Sequence, residues 1–197
     1  MASRTDGVLQ GELFVLPAST NRASGDGQPS LGRKRLRQWG AVALLAFVMA
    51  SYNAISGWRE NHAFMINASE SLPNWAFFVE KGKSAAKGEY VFFVPPDNAL
   101  VRRHFGPDSG PFGKRVIGMP GDVVAHDGSW VTVNGVRVAH MKPRSRDGEV
   151  LTPGPVGRIP DGCFYVGTPH PDGFDSRYAE IGFACRKQLL GSGTPIL

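Results

Sequence analysis

The longest apolar run of the chain lies near its N-terminus. Residues 38–58 carry no charged side chain, and their centre is a continuous run of Ala, Val, Leu, Phe and Met. About 20 apolar residues in a helix suffice to cross the hydrocarbon core of a bilayer. The pattern therefore predicts a transmembrane helix over residues 38–58, with Trp39 and Trp58 as interfacial anchors.

The segment before this run has a different character. Residues 1–32 are rich in Gly, Ser, Asn and Asp and show little apolar periodicity, so they lack the means to bury a core. We predict that residues 1–37 form a disordered, basic tail. The remaining residues, 59–197, are numerous enough for one globular domain.

Basic residues are concentrated on one side of the apolar run. Residues 1–59 hold seven Lys/Arg against three Asp/Glu, or +4, whereas residues 60–197 hold fifteen against fourteen, or +1. Four basic residues directly precede the run, namely Arg33, Lys34, Arg35 and Arg37. The positive-inside rule then places the N-terminus in the cytoplasm and the larger segment outside the inner membrane, with membrane lipid as a partner.

Two other interpretations of the charge pattern are weaker. A cleaved signal peptide would need a charged region that begins more than 30 residues into the chain, which is long for such a segment. A nucleic-acid partner is not expected, because residues 60–197 are nearly balanced in charge and their basic pairs lack interleaved aromatic residues.

Past residue 60 the pattern changes to short runs of β-branched and aromatic residues. These runs cover residues 89–94, 116–117, 123–126, 130–138 and 163–167. Asp127-Gly128 and Asn134-Gly135 interrupt them, and these dipeptides are the strongest short hairpin signals. No amphipathic helix of ten residues is predicted in this segment. The fold class is therefore mainly β, preceded by one N-terminal transmembrane helix.

Three polar motifs lie between these runs. Lys114 opens a short apolar run that ends in the turn Gly118-Met119-Pro120-Gly121-Asp122. A serine-containing motif, residues 67–75, lies upstream, and a Pro-, Gly- and Asp-rich motif, residues 167–178, lies downstream. Burial at the start of an apolar run favours the neutral form of a lysine, and a neutral amine can act as a base.

In this order the three motifs resemble those of the type I signal peptidases, family S26, which are membrane-anchored serine proteases with a Ser-Lys dyad. The Ser71-Leu72-Pro73 triplet, with Ser69 two residues earlier, is most similar to the TraF-like branch that processes conjugative pilus subunits. The resemblance covers roughly residues 60–185. It implies a β-ribbon catalytic fold of antiparallel sheets and an exported, pilin-like precursor protein as substrate.

The resemblance assigns Ser71 as the nucleophile and Lys114 as the general base. A serine hydroxyl attacks only when a base removes its proton, and a lysine with an ordinary pKa of about 10.4 is protonated at neutral pH. Lys114 therefore needs a lowered pKa, and desolvation is the available cause. The resemblance further implies an oxyanion hole made by the Ser69 hydroxyl and the Ser71 backbone N–H.

The downstream motif contains Asp175-Ser176-Arg177-Tyr178. The resemblance implies that Asp175 and Arg177 form a supporting ion pair near the dyad; a strand-edge salt bridge without a catalytic role is the alternative. One position departs from the family pattern. Leader peptidases often carry, two residues before this aspartate, a serine that bonds the catalytic lysine, and this chain has Gly173 there. Thr168, Ser176 or a water would then have to orient the amine.

Cys163 and Cys185 are the two cysteines of the chain. Both fall in the segment predicted to be exported, and the bacterial periplasm is oxidising. We predict a disulfide that closes the loop carrying residues 175–178; two separately buried thiols are the alternative. No metal or nucleotide cofactor is expected, because the histidines show no ligand spacing and no phosphate-binding glycine loop is present. The histidines are His62, His104, His126, His140 and His170.

Together these observations predict a membrane-anchored serine endopeptidase that processes exported precursors, with cyclisation of a pilin carried by resemblance alone. The alternatives are a general leader peptidase, a LexA-like self-cleaving regulator and a non-catalytic pilus-assembly protein. A LexA-like protein would need a DNA-binding motif where this chain has its apolar run. The substrate-binding residues and the oligomeric state are left open.

Overall fold

A computed structural model describes residues 31–67, 69 and 71–196. By backbone contacts the chain divides into two units, Met1–Val48 and Met49–Leu197. The helix α1 (Leu31–Asn61) crosses the boundary between them. Its part Arg35–Asn61 is, by length and composition, able to span a membrane. Most of the predicted disordered tail, residues 1–30, lies outside the described residues.

The predicted start of the helix needs a correction. Residues 31–37, which the sequence assigned to the disordered tail, are helical. The physical reason is that six of these seven residues are Leu, Arg or Lys, which are good helix formers, so a helix nucleated by the apolar run extends through the basic segment. The charge-free run predicts only the part of the helix that can lie in the hydrocarbon core of a bilayer. The helix itself continues beyond that run, from Leu31 to Asn61.

The second unit consists of two antiparallel sheets and one short helix, α2 (Ala99–Phe105). The strands are β1 (His62–Ile66), β2 (Ala76–Lys81), β3 (Tyr90–Phe93), β4 (Phe112–Gly118), β5 (Val123–Asp127), β6 (Trp130–Val133), β7 (Val136–His140), β8 (Gly157–Arg158), β9 (Cys163–Gly167), β10 (Ala184–Cys185) and β11 (Leu189–Pro195). The larger sheet has the order β1-β2-β11-β3-β4-β9-β10, and the smaller has the order β7-β6-β5-β8. The predicted fold class, mainly β, is confirmed.

Both predicted hairpins are present in the smaller sheet. Strands β6 and β7 are joined by Asn134 and Gly135, which have φ angles of 51° and 80°. A two-residue hairpin turn needs positive φ at both central positions, and Asn and Gly tolerate it best. Between β5 and β6 the turn lies one residue later than predicted, because Asp127 pairs with Trp130.

The larger sheet brings distant parts of the chain together. The C-terminal strand β11 lies between β2 and β3, and β4 lies between β3 and β9. Strand β4 therefore holds Lys114 in the interior of the sheet, paired with Val91 of β3. The sheet is stabilised on its faces by buried aromatic residues, among them Phe77, Phe93 and Tyr165.

Helix α2 is an element that the sequence did not predict. Seven residues are too few for a helical hydrophobic period to be visible. Its start is fixed by Asn98, whose side chain accepts a hydrogen bond from the Val101 N–H at 3.0 Å, as expected of an N-cap. The helix ends at Gly106, where φ is 84°. It carries Phe105, whose ring packs edge-on against Phe112 of β4 with 4.7 Å between centroids.

Candidate active site

The turn that contains Ser71 is organised by Asn67, which follows β1. The Asn67 side-chain amide donates to the carbonyl oxygens of Leu72 at 3.2 Å and Asn74 at 3.1 Å. Its side-chain oxygen accepts from the Ser69 backbone N–H at 3.1 Å and from the Ser69 hydroxyl at 3.0 Å. Asparagine favours such turns because its amide imitates the backbone. Sequence reasoning assigned this residue no role, although it opens the serine motif.

Leu72 anchors the same turn from the other side. Its side chain is buried in a cluster with Phe77, Val79 and Phe92. Because Ser71 directly precedes this anchor, its position is set by the core and by the hydrogen bonds of Asn67. These contacts leave the Ser71 side chain half-buried at the edge of a groove.

Lys114 reaches the Ser71 turn from β4. The Lys114 side chain is 6% exposed, and its Nζ lies 3.5 Å from Ser71 Oγ. The Phe112 ring centroid is 5.9 Å from the same nitrogen. Burial lowers the pKa of the Lys114 amine; the Asp175 carboxylate opposes this shift and the Arg177 guanidinium adds to it. The arrangement favours a neutral amine beside a serine hydroxyl, as general-base chemistry requires.

Ser69 precedes Ser71 by two residues in the same turn. The two hydroxyl oxygens, Ser69 Oγ and Ser71 Oγ, are 2.8 Å apart. The single Ser69 hydroxyl proton is directed to Asn67 or to Ser71 in this geometry. To serve an oxyanion it would have to turn toward the substrate, a rotation that a hydroxyl makes freely.

Asp175 and Arg177 form a buried ion pair. Arg177 Nε donates to Asp175 Oδ1 at 2.8 Å and Arg177 Nη2 donates to Asp175 Oδ2 at 2.9 Å. The side chains are 0% and 2% exposed. Burial alone would lower the pKa of Arg177, but the Asp175 carboxylate outweighs it and raises the pKa above its usual value. The guanidinium therefore stays charged.

A protein family can be assigned from these findings together with sequence comparison. The family model described as "Signal peptidase, peptidase S26" matches residues 36–197. This chain belongs to the signal peptidase family S26. Among curated proteins, a protein named "Signal peptidase I" from Bacillus amyloliquefaciens is 35% identical over 40% of this chain and 46% of its own length. The chain thus spans about half the length of the curated relative that it matches.

In this signal peptidase family member, a steric constraint explains why residue 173 is glycine. A Cβ atom there would lie 2.5 Å from Thr168 Oγ1 and 2.8 Å from both Arg177 Nη2 and Asp175 Oδ2. Distances this short are not tolerated between non-bonded atoms. The nearby Ser176 hydroxyl accepts a hydrogen bond from the Val166 N–H at 2.9 Å, so it is engaged within the β9 region.

Two adjoining grooves meet at the serine turn. One has a volume of about 510 Å³ and the other about 440 Å³. Their shared lining includes both hydroxyls of the turn and two aromatic rings: Ser69, Ser71, Phe105, Asp172 and Phe174. The smaller groove also contains Lys114. An extended chain that passed from one groove into the other would place its backbone beside Ser71.

Asp172 supplies a fixed charge to the wall of both grooves. Hydrogen bonds from Lys142 and Arg146 lower the pKa of Asp172 to about 2. The carboxylate is therefore ionised at neutral pH. Its charge is largely matched by its two basic partners, so the groove wall is polar but not strongly acidic.

Cys163 and Cys185 belong to two neighbouring strands, β9 and β10. They are disulfide-bonded and are direct partners in the β9–β10 pair. Residues 175–178 fall within the loop that this bond closes. The disulfide therefore ties together the two ends of the segment that carries Asp175 and Arg177.

A surface cluster of polar groups lies beside the larger groove. His104 Nε2 is 3.1 Å from a Glu149 carboxylate oxygen, and His104 Nδ1 is 3.5 Å from Asp147. Their ligand atoms are close enough together for one cation. Hydrogen bonds from Ser145 and His104 lower the pKa of Glu149. In this cluster the polar side chains contact one another, and these contacts link α2 to the loop of residues 145–149.

Proposed function

We propose that this protein is a membrane-anchored serine endopeptidase with Ser71 as nucleophile and Lys114 as general base. The proposal rests chiefly on one observation: Lys114 Nζ, buried and with a lowered pKa, lies 3.5 Å from Ser71 Oγ. Membership of family S26 supports it. The substrate class is exported precursor proteins, which the name of the Bacillus relative also suggests.

The proposed reaction begins with proton transfer from Ser71 Oγ to the neutral Lys114 amine. As the proton leaves, Oγ bonds to the carbonyl carbon of the scissile peptide, and the carbonyl electrons move to oxygen. The Ser71 backbone N–H and the Ser69 hydroxyl donate to this oxyanion, whose charge develops only in the transition state. The Ser69 hydroxyl turns from Asn67 or Ser71 toward the oxyanion as it forms, and the two donors together lower the barrier.

The intermediate then collapses and its C–N bond breaks. The Lys114 ammonium gives its proton to the departing amine, and an ester between Ser71 and the substrate carbonyl remains. The regenerated amine next takes a proton from water, whose oxygen attacks the ester carbonyl. When the ester C–O bond breaks, the Lys114 ammonium gives its proton to Ser71 Oγ and the substrate leaves with a new carboxyl group, so the enzyme is unchanged after one turnover.

A cleavage assay tests the dyad. The full chain in detergent is incubated with a precursor made of an apolar export segment fused to a reporter protein, and products are identified by mass spectrometry. We expect cleavage by the wild type and by Ser129→Ala, which alters an exposed serine in a hairpin turn. Ser71→Ala should reduce cleavage by about 10³-fold or more. Equal turnover by Ser71→Ala would exclude Ser71 as nucleophile and favour a non-catalytic role.

The proposed topology places residues 1–37 in the cytoplasm, residues 38–58 in the inner membrane and residues 59–197 in the periplasm. It is supported by the basic residues before the apolar helix. A periplasmically active phosphatase fused after Leu197 should be active, and a cytoplasmic fluorescent reporter at the same place should be dark. The reverse pattern would contradict the topology.

We further propose that the preferred substrate is a conjugative pilin precursor, as in the TraF-like enzymes that the Ser69–Pro73 motif resembles. Rates on a pilin precursor and on an unrelated secreted precursor, measured side by side, test this preference. Equal rates would indicate a general leader peptidase. Cyclisation would appear as a product lighter than the linear mature pilin by one water.

A further inference from the structure

Thr168 follows β9 and is one of the few buried polar residues of the domain. Its side chain is 2% exposed, and its hydroxyl oxygen has no hydrogen-bond partner among the described residues. A buried hydroxyl without a partner is destabilising by roughly 1–3 kcal/mol in typical proteins. Such groups are rare and call for an explanation in terms of function or strain.

Thr168 lies one residue beyond the paired part of β9, and extending the β4–β9 register by one step brings it opposite Lys114. In the β4–β9 pair, Arg115 is opposite Gly167 and Val116 is opposite Val166. One further step along both strands brings Lys114 opposite Thr168. Side chains that are directly opposite in an antiparallel pair project to the same face, with Cβ atoms about 4.5–5.5 Å apart. The unpartnered Thr168 hydroxyl is therefore expected on the same face of the sheet as the Lys114 side chain.

Both backbone polar groups of Thr168 are fixed by the buried ion pair. The Thr168 N–H donates to Asp175 Oδ2 at 3.0 Å, and the Thr168 carbonyl oxygen accepts from Arg177 Nη2 at 2.8 Å. Gly173 leaves room for the hydroxyl, since a Cβ at that position would lie 2.5 Å from Thr168 Oγ1. The ion pair thus holds the threonine, and the glycine keeps space open for its hydroxyl.

The Lys114 amine has an unused donor. Among the described residues its Nζ has one hydrogen-bond partner, Ser71 Oγ at 3.5 Å. A neutral amine has two N–H groups and one lone pair. If the lone pair is to face the Ser71 hydroxyl, an N–H must be directed elsewhere, and a buried N–H without a partner is costly.

We propose that Thr168 is a positioning residue for Lys114, whose amine donates a hydrogen bond to the Thr168 hydroxyl and so turns its lone pair toward Ser71. A rotation within the lysine and threonine side chains forms this bond. The inference builds on the proposed Ser71/Lys114 function. It also gives the Asp175–Arg177 pair a role, because that pair fixes the threonine backbone.

Other charged groups around the amine would be unchanged by a substitution of Thr168. Asp175 and Arg177 act on Lys114 with opposite signs, and Asp172 lines the same groove. Arg115, the next residue on β4, donates to the Gly88 carbonyl oxygen. A hydroxyl acceptor stabilises the ammonium more than the amine, so its removal should shift the Lys114 titration to lower pH.

The test compares Thr168→Val, which removes the hydroxyl at constant shape, with Thr168→Ser, which keeps it. In the full chain in detergent, Thr168→Val should lower kcat by about tenfold, change KM less than about twofold, and move the rising limb of the pH profile to lower pH. Thr168→Ser should restore both. The control is Thr132→Val, a buried threonine of the smaller sheet, which should leave kcat and the pH profile unchanged.

An unchanged kcat and pH profile in Thr168→Val would overturn the proposal. If that variant does not fold, Thr168→Ser is compared with Thr168→Ala, and equal kcat values for the two would overturn it instead. An NMR titration of the Lys114 Cε resonance separates this inference from the peptidase proposal; it compares Ser71→Ala with the double variant Ser71→Ala/Thr168→Val. If the double variant titrates at lower pH but the wild type cleaves no precursor, only the peptidase proposal is rejected. If the two titrations coincide, the role of Thr168 is rejected.

Discussion

Arg177 donates to both carboxylate oxygens of Asp175, at 2.8 and 2.9 Å, and neither side chain is more than 2% exposed. The guanidinium further donates to the Thr168 carbonyl oxygen. This pair lies close enough to Lys114 for both charges to act on its amine. It therefore links the packing of the domain to the electrostatics of the candidate active site.

Arg177→Met should be strongly destabilising. It leaves the Asp175 carboxylate buried without its partner, a loss that typically lowers the free energy of unfolding by about 3–5 kcal/mol. The matched control is Arg137→Met, because Arg137 pairs with Asp127 at the surface with both side chains more than half exposed. That change should stay within about 1 kcal/mol. Urea unfolding of both variants measures the difference; equal losses would contradict the importance of burial.

Peptidase activity should rise with pH. Lys114 is the proposed base, so only molecules with a neutral amine react, and kcat/KM should increase as the pH rises through the folded-state pKa. Desolvation places that pKa below the usual 10.5, so the rise should occur at lower pH than for a solvent-exposed lysine. Initial rates across mildly acidic to alkaline buffers test this. A flat profile would remove a titrating base from the mechanism.

Lys114→Met should stabilise the fold while abolishing cleavage. A lysine whose pKa is lowered by folding binds protons more weakly when folded, which costs stability at every pH below the folded pKa; the cost disappears as the pH approaches the unfolded value. At neutral pH the replacement should add on the order of 1 kcal/mol, or about 2–4 °C in Tm.

The control for this change is Lys83→Met, since Lys83 lies at the surface and pairs with Glu80. Its Tm should be nearly that of the wild type, because substitutions at exposed surface positions have small effects. The gain in Tm of Lys114→Met should also shrink in alkaline buffer, as the unfolded-state lysine loses its proton. A loss of Tm at neutral pH would show that the buried amine is a net stabilising group.

Gly154→Ala should disrupt the segment that carries the ion pair. A Cβ at Gly154 would lie 2.2 Å from the Ser176 carbonyl oxygen and 2.8 Å from the Arg177 carbonyl carbon, and backbone atoms cannot yield as a flexible side chain can. We expect a loss of about 1–3 kcal/mol. Gly110→Ala, with no atom within 4 Å of the added Cβ, is the control and should be nearly neutral. Thermal melts that show equal Tm values would contradict the close approach.

The Cys163–Cys185 disulfide should be detectable as the absence of free thiols in denatured, unreduced protein. The loop-entropy model gives about 3 kcal/mol for closing a loop of this size. Reduction should therefore lower the urea midpoint of the wild type but not that of the double variant Cys163→Ala/Cys185→Ala. Two free thiols per chain in unreduced protein would exclude the bond.

Local patterns predicted the elements whose stability is local. The charge-free run indicated a helix able to span a bilayer, since that requirement depends only on length and composition. Asn134-Gly135 indicated a hairpin because positive φ angles are a property of those residues. Helix α2 was missed because seven residues show no period, and the helical residues 31–37 were missed because basic residues gave no apolar signal.

The sequence alone indicated which residue types could form a serine-lysine site and in which order they occur. It did not determine their distances. Lys114 and Ser71 are 43 positions apart, and only the placement of β4 between β3 and β9 brings the amine to the serine turn. The roles of Asn67 and Thr168 likewise depend on hydrogen bonds made or left unmade in the folded state. The lowered pKa of Lys114 was also decided by tertiary structure, because desolvation is a property of the surrounding packed atoms and not of the residue itself.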